Sequence, residues 1–361
     1  MTTNTEKPIR VLVVGCGNMG ASHATAYHLN EGFEICGLVS RGASKETLNA
    51  QLGGQYALYD DYGQALAATK PDAVCISTYP DTHEPYAVQA FEAGCHVFLE
   101  KPVADTVEGA LRVADAARRH GKKLVVGYIL RYHPSWQKFV ELSGQLGKPL
   151  VMRMNLNQQS EGRMWDVHRN LMASLSPIVD CGVHYIDVMC QMTGSKPVQV
   201  NAIGVRLTDD IPADNYNYGQ LQLRFEDGSV GWYEAAWGPM VSENAFFIKD
   251  VFGPKGSLSI VARDASKEGQ SDNVAAHTQT ESLRLHHADI DADNRFTKPD
   301  EWIDLTDEPD HQELCNREQA FFLRAIREDL DLTELTQHAV DSLRIAIACD
   351  ESVKAGQPVM L

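Results

Sequence analysis

An apolar run, Ile9-Arg10-Val11-Leu12-Val13-Val14, leads directly into Gly15-Cys16-Gly17-Asn18-Met19-Gly20, and a helical stretch, 21–29, follows. No other feature limits the fold as strongly. Glycine at position 15 permits a tight turn after a buried strand, glycine at 17 lets the backbone approach an anion, and glycine at 20 lets the helix lie close to the strand. The helix then presents free N–H groups and its positive dipole end to the turn, the arrangement that holds a pyrophosphate. The chain is expected to begin with a nicotinamide dinucleotide site, in which Asn18 and Met19 are counted with the three glycines.

With 361 residues the chain exceeds what one core comfortably holds, so two domains are expected. A net charge of −17 argues against a nucleic-acid surface, which needs a basic face. An anionic substrate remains compatible, because Arg131, Arg153, Arg163 and Arg169 can form a local positive pocket. The first eight residues lack the apolar core of a signal peptide, and no apolar run reaches the length of a membrane span. Eight cysteines without C-x-x-C spacing read as free thiols in a reducing cytoplasm.

Strand-like and helix-like segments alternate as far as Gly127: strands at Phe33–Val39, 72–77, His96–Leu99 and 123–127, helices at 44–52, 83–94 and 105–120. The last of these helices is expected to be capped by Asp105, with Glu108 three residues on and Gly121 as its stop. This spacing predicts a parallel, doubly wound sheet. From Lys148 onward longer alternating runs take over, at 150–156, 198–207, 216–225, 229–237, 245–252 and 257–261, with Asp227-Gly228 as a hairpin signal. They predict a largely antiparallel sheet with one embedded helix, 177–193. Residues 264–282 read as a surface loop, and helices at about 313–328 and 337–355 end the chain. The expected division is a Rossmann domain over 1–127 and an α+β domain over 128–361, the C-terminal helices being free to pack back on the first.

An acidic residue that reads the ribose is expected at the end of the second strand, but Ser40-Arg41 stands there. A guanidinium that stacks on adenine and pairs with a phosphate suits NADP, and Lys45 can add positive charge. NAD held through ribose contacts alone is the alternative.

Ligands of an open α/β sheet bind beyond the carboxyl ends of its strands. Three segments end there: Tyr79-Pro80-Asp81-Thr82-His83, Glu100-Lys101-Pro102, and Gly127-Tyr128-Ile129-Leu130-Arg131-Tyr132. A lysine at the mouth of a buried strand can hydrogen-bond a substrate hydroxyl and favour its alkoxide. Tyr79, His83 and Glu100 are counted with the cofactor site. Farther on, Ser176-Pro177 starts a helix in which Asp180 and His184 lie four apart, hence on one face. A carboxylate there can orient an imidazole that takes a hydroxyl proton, although a core histidine held by a helical neighbour shows the same spacing.

The glycine fingerprint, Glu100-Lys101-Pro102 and the helix with Asp180-x-x-x-His184 together resemble the glucose–fructose oxidoreductase, inositol dehydrogenase and rhizopine-catabolism family (Gfo/Idh/MocA), over nearly the whole chain. The resemblance implies a Rossmann domain followed by an open-faced, predominantly antiparallel sheet used for assembly, here into a homodimer or homotetramer. It implies hydride transfer between NAD or NADP and a secondary alcohol or ketone of a sugar, polyol or inositol. Lys101 matches the family lysine near nicotinamide, Asp180 the aspartate that positions substrate, His184 the acid–base, and Arg131 a segment that commonly reaches the substrate. Ser40-Arg41 departs from the acidic pattern of NAD-preferring members, and residues 169–176 lack the glycine-rich lead-in often seen. Two alternatives on the same scaffold are an NAD-dependent glycoside hydrolase and a non-catalytic NAD(P)- or sugar-sensing regulator.

Trp165 and His168, with Arg169, can line a sugar site, and a surface loop is an equal reading of that stretch. Trp237 reads as core. Asp289-x-Asp291-x-Asp293 starts like a calcium loop but has Asn294 in place of glycine and Asp300 in place of the closing glutamate, and His286-His287 lacks a second ligand cluster. No metal is expected.

Overall fold

The computed structural model describes residues 7–242, 247–261, 280, 282–305 and 308–361. The chain divides into two compact units, one made of residues up to Ile129 with Gln312–Asp341, the other of Leu130–His311 with Ser342–Leu361.

In the first unit the alternation produces β1 (Ile9–Val14), α1 (Asn18–Leu29), β2 (Phe33–Val39), α2 (Ser44–Gln51), β3 (Leu58–Tyr59), α3 (Tyr62–Thr69), β4 (Ala73–Ile76), α4 (His83–Glu92), β5 (His96–Leu99), α5 (Val107–His120) and β6 (Leu124–Val126). The six strands are parallel in the order β3-β2-β1-β4-β5-β6, the doubly wound Rossmann arrangement. The short pair β3 and α3 carries too few residues to stand out as a period in the sequence. Val11, Val13, Leu38, Cys75 and Phe98 form the core on one sheet face. The helix His311–Arg327 closes that core, with Phe322 stacked against Phe33 at 6.2 Å between ring centroids.

One cap differs from expectation. Thr106, not Asp105, is the residue with extended backbone before α5, and its hydroxyl accepts the Gly109 N–H at 3.1 Å. The threonine sits three residues before the N–H it must reach, which Asp105 does not. Gly121 ends the helix in the left-handed region at φ 61°, as its position implied.

The second unit opens with α6 (Pro134–Ser143) and contains β7 (Val151–Gln159), α7 (Gly162–Leu171), α8 (Pro177–Asp180), α9 (Gly182–Thr193), β8 (Pro197–Val205), β9 (Tyr218–Phe225), β10 (Val230–Gly238), β11 (Lys249–Gly253), β12 (Gly256–Val261), β13 (Ser282–His287), β14 (Glu301–Asp304) and β15 (Val359–Met360). Its nine-stranded sheet runs β14-β13-β12-β11-β7-β10-β9-β8-β15. All pairings are antiparallel except β7 with β10. The hairpin at Asp227-Gly228 is present, with Gly228 at φ 83°.

Two local expectations change here. The stretch 165–169, read equally as the lining of a sugar site or as a surface loop, lies in the helix α7. The helix expected over 177–193 is two helices separated by Cys181, with the His184 N–H bonded to the Cys181 carbonyl at 3.2 Å. The loop expected over 264–282 lies almost wholly outside the described residues, and Ser282 itself begins β13.

Candidate functional site

At the carboxyl edge of the parallel sheet the fingerprint adopts the geometry its glycines permit. Gly15 has φ 91°, and a Cβ there would lie 2.3 Å from the Ser77 carbonyl oxygen. A Cβ on Gly20 would strike the Gly15 carbonyl oxygen at 1.8 Å, so α1 can pack this closely only with glycine. At Gly17 a Cβ would meet nothing within 4 Å. The backbone is open there at the N-terminus of α1, which fits a pyrophosphate set against first-turn amides. Asn18 is exposed and Met19 half-buried in that turn.

Beyond β2, the Ser40 hydroxyl is 2.7 Å from that of Ser44, and Arg41 is exposed. Lys45 is buried, with Nζ 2.7 Å from an Asp60 carboxylate oxygen, 3.2 Å from Glu46 and 3.0 Å from the Gly42 carbonyl. Its charge is met locally, which corrects the expectation that it would add positive charge for a phosphate.

Past β4, Tyr79 is exposed, whereas His83 is completely buried. The His83 ring lies between two carbonyl oxygens, Pro102 at 2.7 Å and Thr78 at 3.0 Å, and burial lowers its pKa. It therefore buckles the loop after β4 to the loop after β5. Past β5, Glu100 is buried: Oε1 lies 2.6 Å from His23 Nε2, and Oε2 accepts the Lys101 N–H at 3.1 Å. Lys101 itself is half-buried. Counted with the cofactor residues from sequence, His83 and Glu100 use their polar atoms inside the unit, and Glu100 does so on the main chain of Lys101.

In the second unit the Ser176 hydroxyl caps α8 by accepting the Val179 N–H at 3.1 Å, and donates to Asp350 at 2.7 Å. The Tyr216 hydroxyl donates to the same Asp350 oxygen at 2.5 Å, and burial raises the Asp350 pKa. The start of the helix pair that carries Asp180 and His184 is thus fixed from two sides. Asp180 is buried and accepts the Cys181 thiol at 3.3 Å, and His184 is half-buried.

The arginines proposed for a positive pocket are mostly committed. Arg131 forms a two-point pair with buried Asp187 at 2.8 and 2.5 Å, Arg153 pairs with Asp250 at 2.9 and 2.6 Å, and Arg169 pairs with Asp166. Arg163 is exposed. His168 is buried and stacks on Trp237 with centroids 4.3 Å apart, while Trp165 is half-buried under the Arg169 guanidinium at 5.8 Å. Trp237 is core, and its Nε1–H donates to Gln158 Oε1 at 2.7 Å.

The sequence reading missed Lys249. It faces the buried side of β11, beneath the rings of Phe247 at 4.6 Å and Tyr185 at 5.9 Å, and burial lowers its pKa to about 7. Its signal was a charged residue at an inward position of an alternating strand, and such a lysine is a site candidate on physical grounds.

The other metal-like motifs are engaged otherwise. Asp291 accepts the N–H groups of Asp293 and Arg295, closing its own turn, and His286 and His287 lie 2.7 and 2.6 Å from Asp300 and Glu301.

A glycine cradle on β1 and a lysine after β5 of one doubly wound sheet define the class: an NAD-binding oxidoreductase. A family described as "Oxidoreductase family, NAD-binding Rossmann fold" matches residues 9–128, and the "GFO/IDH/MocA C-terminal domain" matches residues 138–259. The chain belongs to the Gfo/Idh/MocA oxidoreductase family. It is 26% identical over 313 residues to D-glucoside 3-dehydrogenase of Escherichia coli K12, covering 81% of this chain and 86% of that protein. It is 32% identical over 232 residues to an inositol 2-dehydrogenase of Saccharopolyspora erythraea, covering 60% of this chain and 63% of that one. Among solved structures, an oxidoreductase of Thermotoga maritima shares the fold with a TM-score of 0.78 at 22% identity, covering 98% of each chain. Apo scyllo-inositol dehydrogenase of Lactobacillus casei shares it with a TM-score of 0.74 at 20% identity, covering 99% of each.

Proposed function

We propose that the protein transfers a hydride between NADP, or less favourably NAD, and a secondary alcohol or ketone of a sugar, polyol or inositol. The observation that carries this reading is the placement of Lys101. It leaves the carboxyl end of β5, two strands from the fingerprint of β1, with its main chain held by a buried carboxylate. Relatives named D-glucoside 3-dehydrogenase and inositol 2-dehydrogenase support the substrate class. The bound nicotinamide supplies the hydride acceptor or donor. Lys101 holds the reacting oxygen and favours its alkoxide. His184 takes the hydroxyl proton, and Asp180 orients the alcohol and the imidazole. Preference for NADP rests on Arg41, since Lys45 is neutralised by Asp60.

No helix among the described residues is long and apolar enough to cross a membrane, and all eight cysteines are free thiols. A cytoplasmic homodimer or homotetramer is the setting we propose.

Initial rates with NADP and then NAD, over myo-inositol, aldoses and methyl glucosides, test the reading. Turnover with NADP is expected, and Lys101→Ala should lower kcat by about 10²-fold or more. Arg41→Ala should raise KM for NADP about tenfold and leave that for NAD within about twofold. Turnover with NAD alone would discard the Arg41 reading. Release of sugar from a methyl glucoside without net nicotinamide reduction would point to glycoside hydrolysis instead.

A further inference from the structure

The parallel-sheet unit holds a chain of buried polar side chains that ends on the main chain of Lys101. His23, on α1 just after the glycine fingerprint, is fully buried, with its ring 4.6 Å from that of Phe98. Gln319, from the helix His311–Arg327 near the other end of the chain, places its amide Nε2 2.9 Å from His23 Nδ1. The amide donates there, so Nδ1 is the acceptor and the ring proton sits on Nε2. Nε2–H then donates to Glu100 Oε1 at 2.6 Å, and Glu100 Oε2 accepts the Lys101 N–H at 3.1 Å. Gly127 closes the far side, since a Cβ there would lie 3.1 Å from Glu100 Oε1. The same helix is latched to α1 a second time, where Gln312 Nε2 donates to the Ser22 carbonyl at 2.9 Å.

Glu318 stands beside this chain, buried and with neither carboxylate oxygen hydrogen-bonded among the described residues. Burial first, and Glu100 second, push its carboxyl well above the usual carboxylate range. His23, Cys315 and Glu318 offer ligand atoms within 4.8 Å of one another, a set that can hold a metal. Both ring nitrogens of His23 already have partners, however, Glu100 and Gln319, so His23 is committed to the hydrogen-bonded chain rather than to an open ligand set.

We propose that His23, with its tautomer set by Gln319, is a positioning residue for Lys101. It fixes the Glu100 carboxylate so that one oxygen holds the lysine main chain in place. This rests on the reading of Lys101 as the residue that meets the reacting oxygen. A displacement of about 1 Å at such a group costs on the order of 10²-fold in rate, so the clamp acts on kcat rather than on binding.

The test compares His23→Leu, His23→Gln, Gln319→Leu, Glu318→Gln and Lys101→Ala in the full chain, with myo-inositol and methyl glucoside as probes. Labelling of Lys101 by an amine-reactive reagent, read by mass spectrometry, is measured in parallel and needs no substrate. His23→Leu is expected to lower kcat about tenfold or more with KM within about twofold, and to change the labelling rate of Lys101 about threefold or more. His23→Gln, whose amide can donate where Nε2–H did, should restore most of both, and Glu318→Gln should change neither.

Unchanged kcat and labelling in His23→Leu, alongside an inactive Lys101→Ala, would overturn the positioning role. Failure of His23→Gln to restore either would reduce His23 to packing and overturn it too. Full activity in Lys101→Ala would instead sink the reading of Lys101 itself. If His23→Leu does not fold, Gln319→Leu decides by the same two readouts. If neither alcohol turns over, labelling alone decides.

Discussion

At the scale of single residues, Lys249 is a costly placement. Its ammonium is buried beneath two aromatic rings, and its pKa falls from the ordinary 10.5 to about 7. Cation–π attraction offsets only part of the desolvation of an ammonium. Between these two pKa values the unfolded chain holds a proton that the folded chain lacks, so this group makes stability rise with pH. The penalty is complete below about pH 7 and gone above about pH 10.5. Lys249→Met should therefore stabilise the fold by on the order of 1–3 kcal/mol at about pH 6. The gain should shrink toward zero near pH 10, as read from thermal midpoints of both proteins at both pH values. An equal gain at the two pH values would mean that Lys249 is not the depressed group. Arg131 shows the opposite economy: its guanidinium and the Asp187 carboxylate satisfy each other at two points, so each removes the burial cost of the other.

At the scale of elements, short-range chemistry sets the boundaries. Thr106 caps α5 through Gly109, Ser176 caps α8 through Val179, and Gly121 and Gly194 end their helices in the left-handed region. Replacing Thr106 with alanine should lower stability by about 1 kcal/mol, whereas Asp105→Ala should change it by less than about 0.5 kcal/mol. Chemical denaturation of the two variants distinguishes the assignments, and a larger loss in Asp105→Ala would reverse them. Such signals were legible in the sequence because cap, glycine and first turn lie within a few residues of one another. Among the elements that were not legible, β3, α3, β15 and the split between α8 and α9 are short or depend on distant partners. At the split, a Cβ on Gly182 would press on the Tyr233 ring at 3.0 Å, a packing demand from β10 that no local pattern announces.

At the scale of the whole molecule, each sheet has its own logic. In the nine-stranded sheet one row of paired residues runs Trp302, Arg284, Ser259, Asp250, Arg153, Trp232, Gln222 and Asn201. The same face carries Val151, Val230, Ile203 and Val205, each at least 37% exposed, and Trp302 at 62%. Apolar and charged residues interspersed on one exposed sheet face suit association with a second copy. If the proposed homodimer or homotetramer forms through this face, a Val230→Glu, Trp302→Glu double variant should sediment as a smaller species than the parent, and an unchanged mass would count against that proposal.

Neighbouring residues and short periods spell out the doubly wound first unit, the largely antiparallel sheet, the glycine cradle and the candidates Lys101, Asp180 and His184, because each is written locally in the chain. Tertiary contacts decided how several polar groups are engaged. Lys45 is met by Asp60, His83 by two carbonyls, and Glu100 by His23, which is itself held by Gln319, 296 positions beyond His23 in the chain. A side chain's chemistry depends on its burial and its partners, and those are fixed only when distant segments are brought into contact.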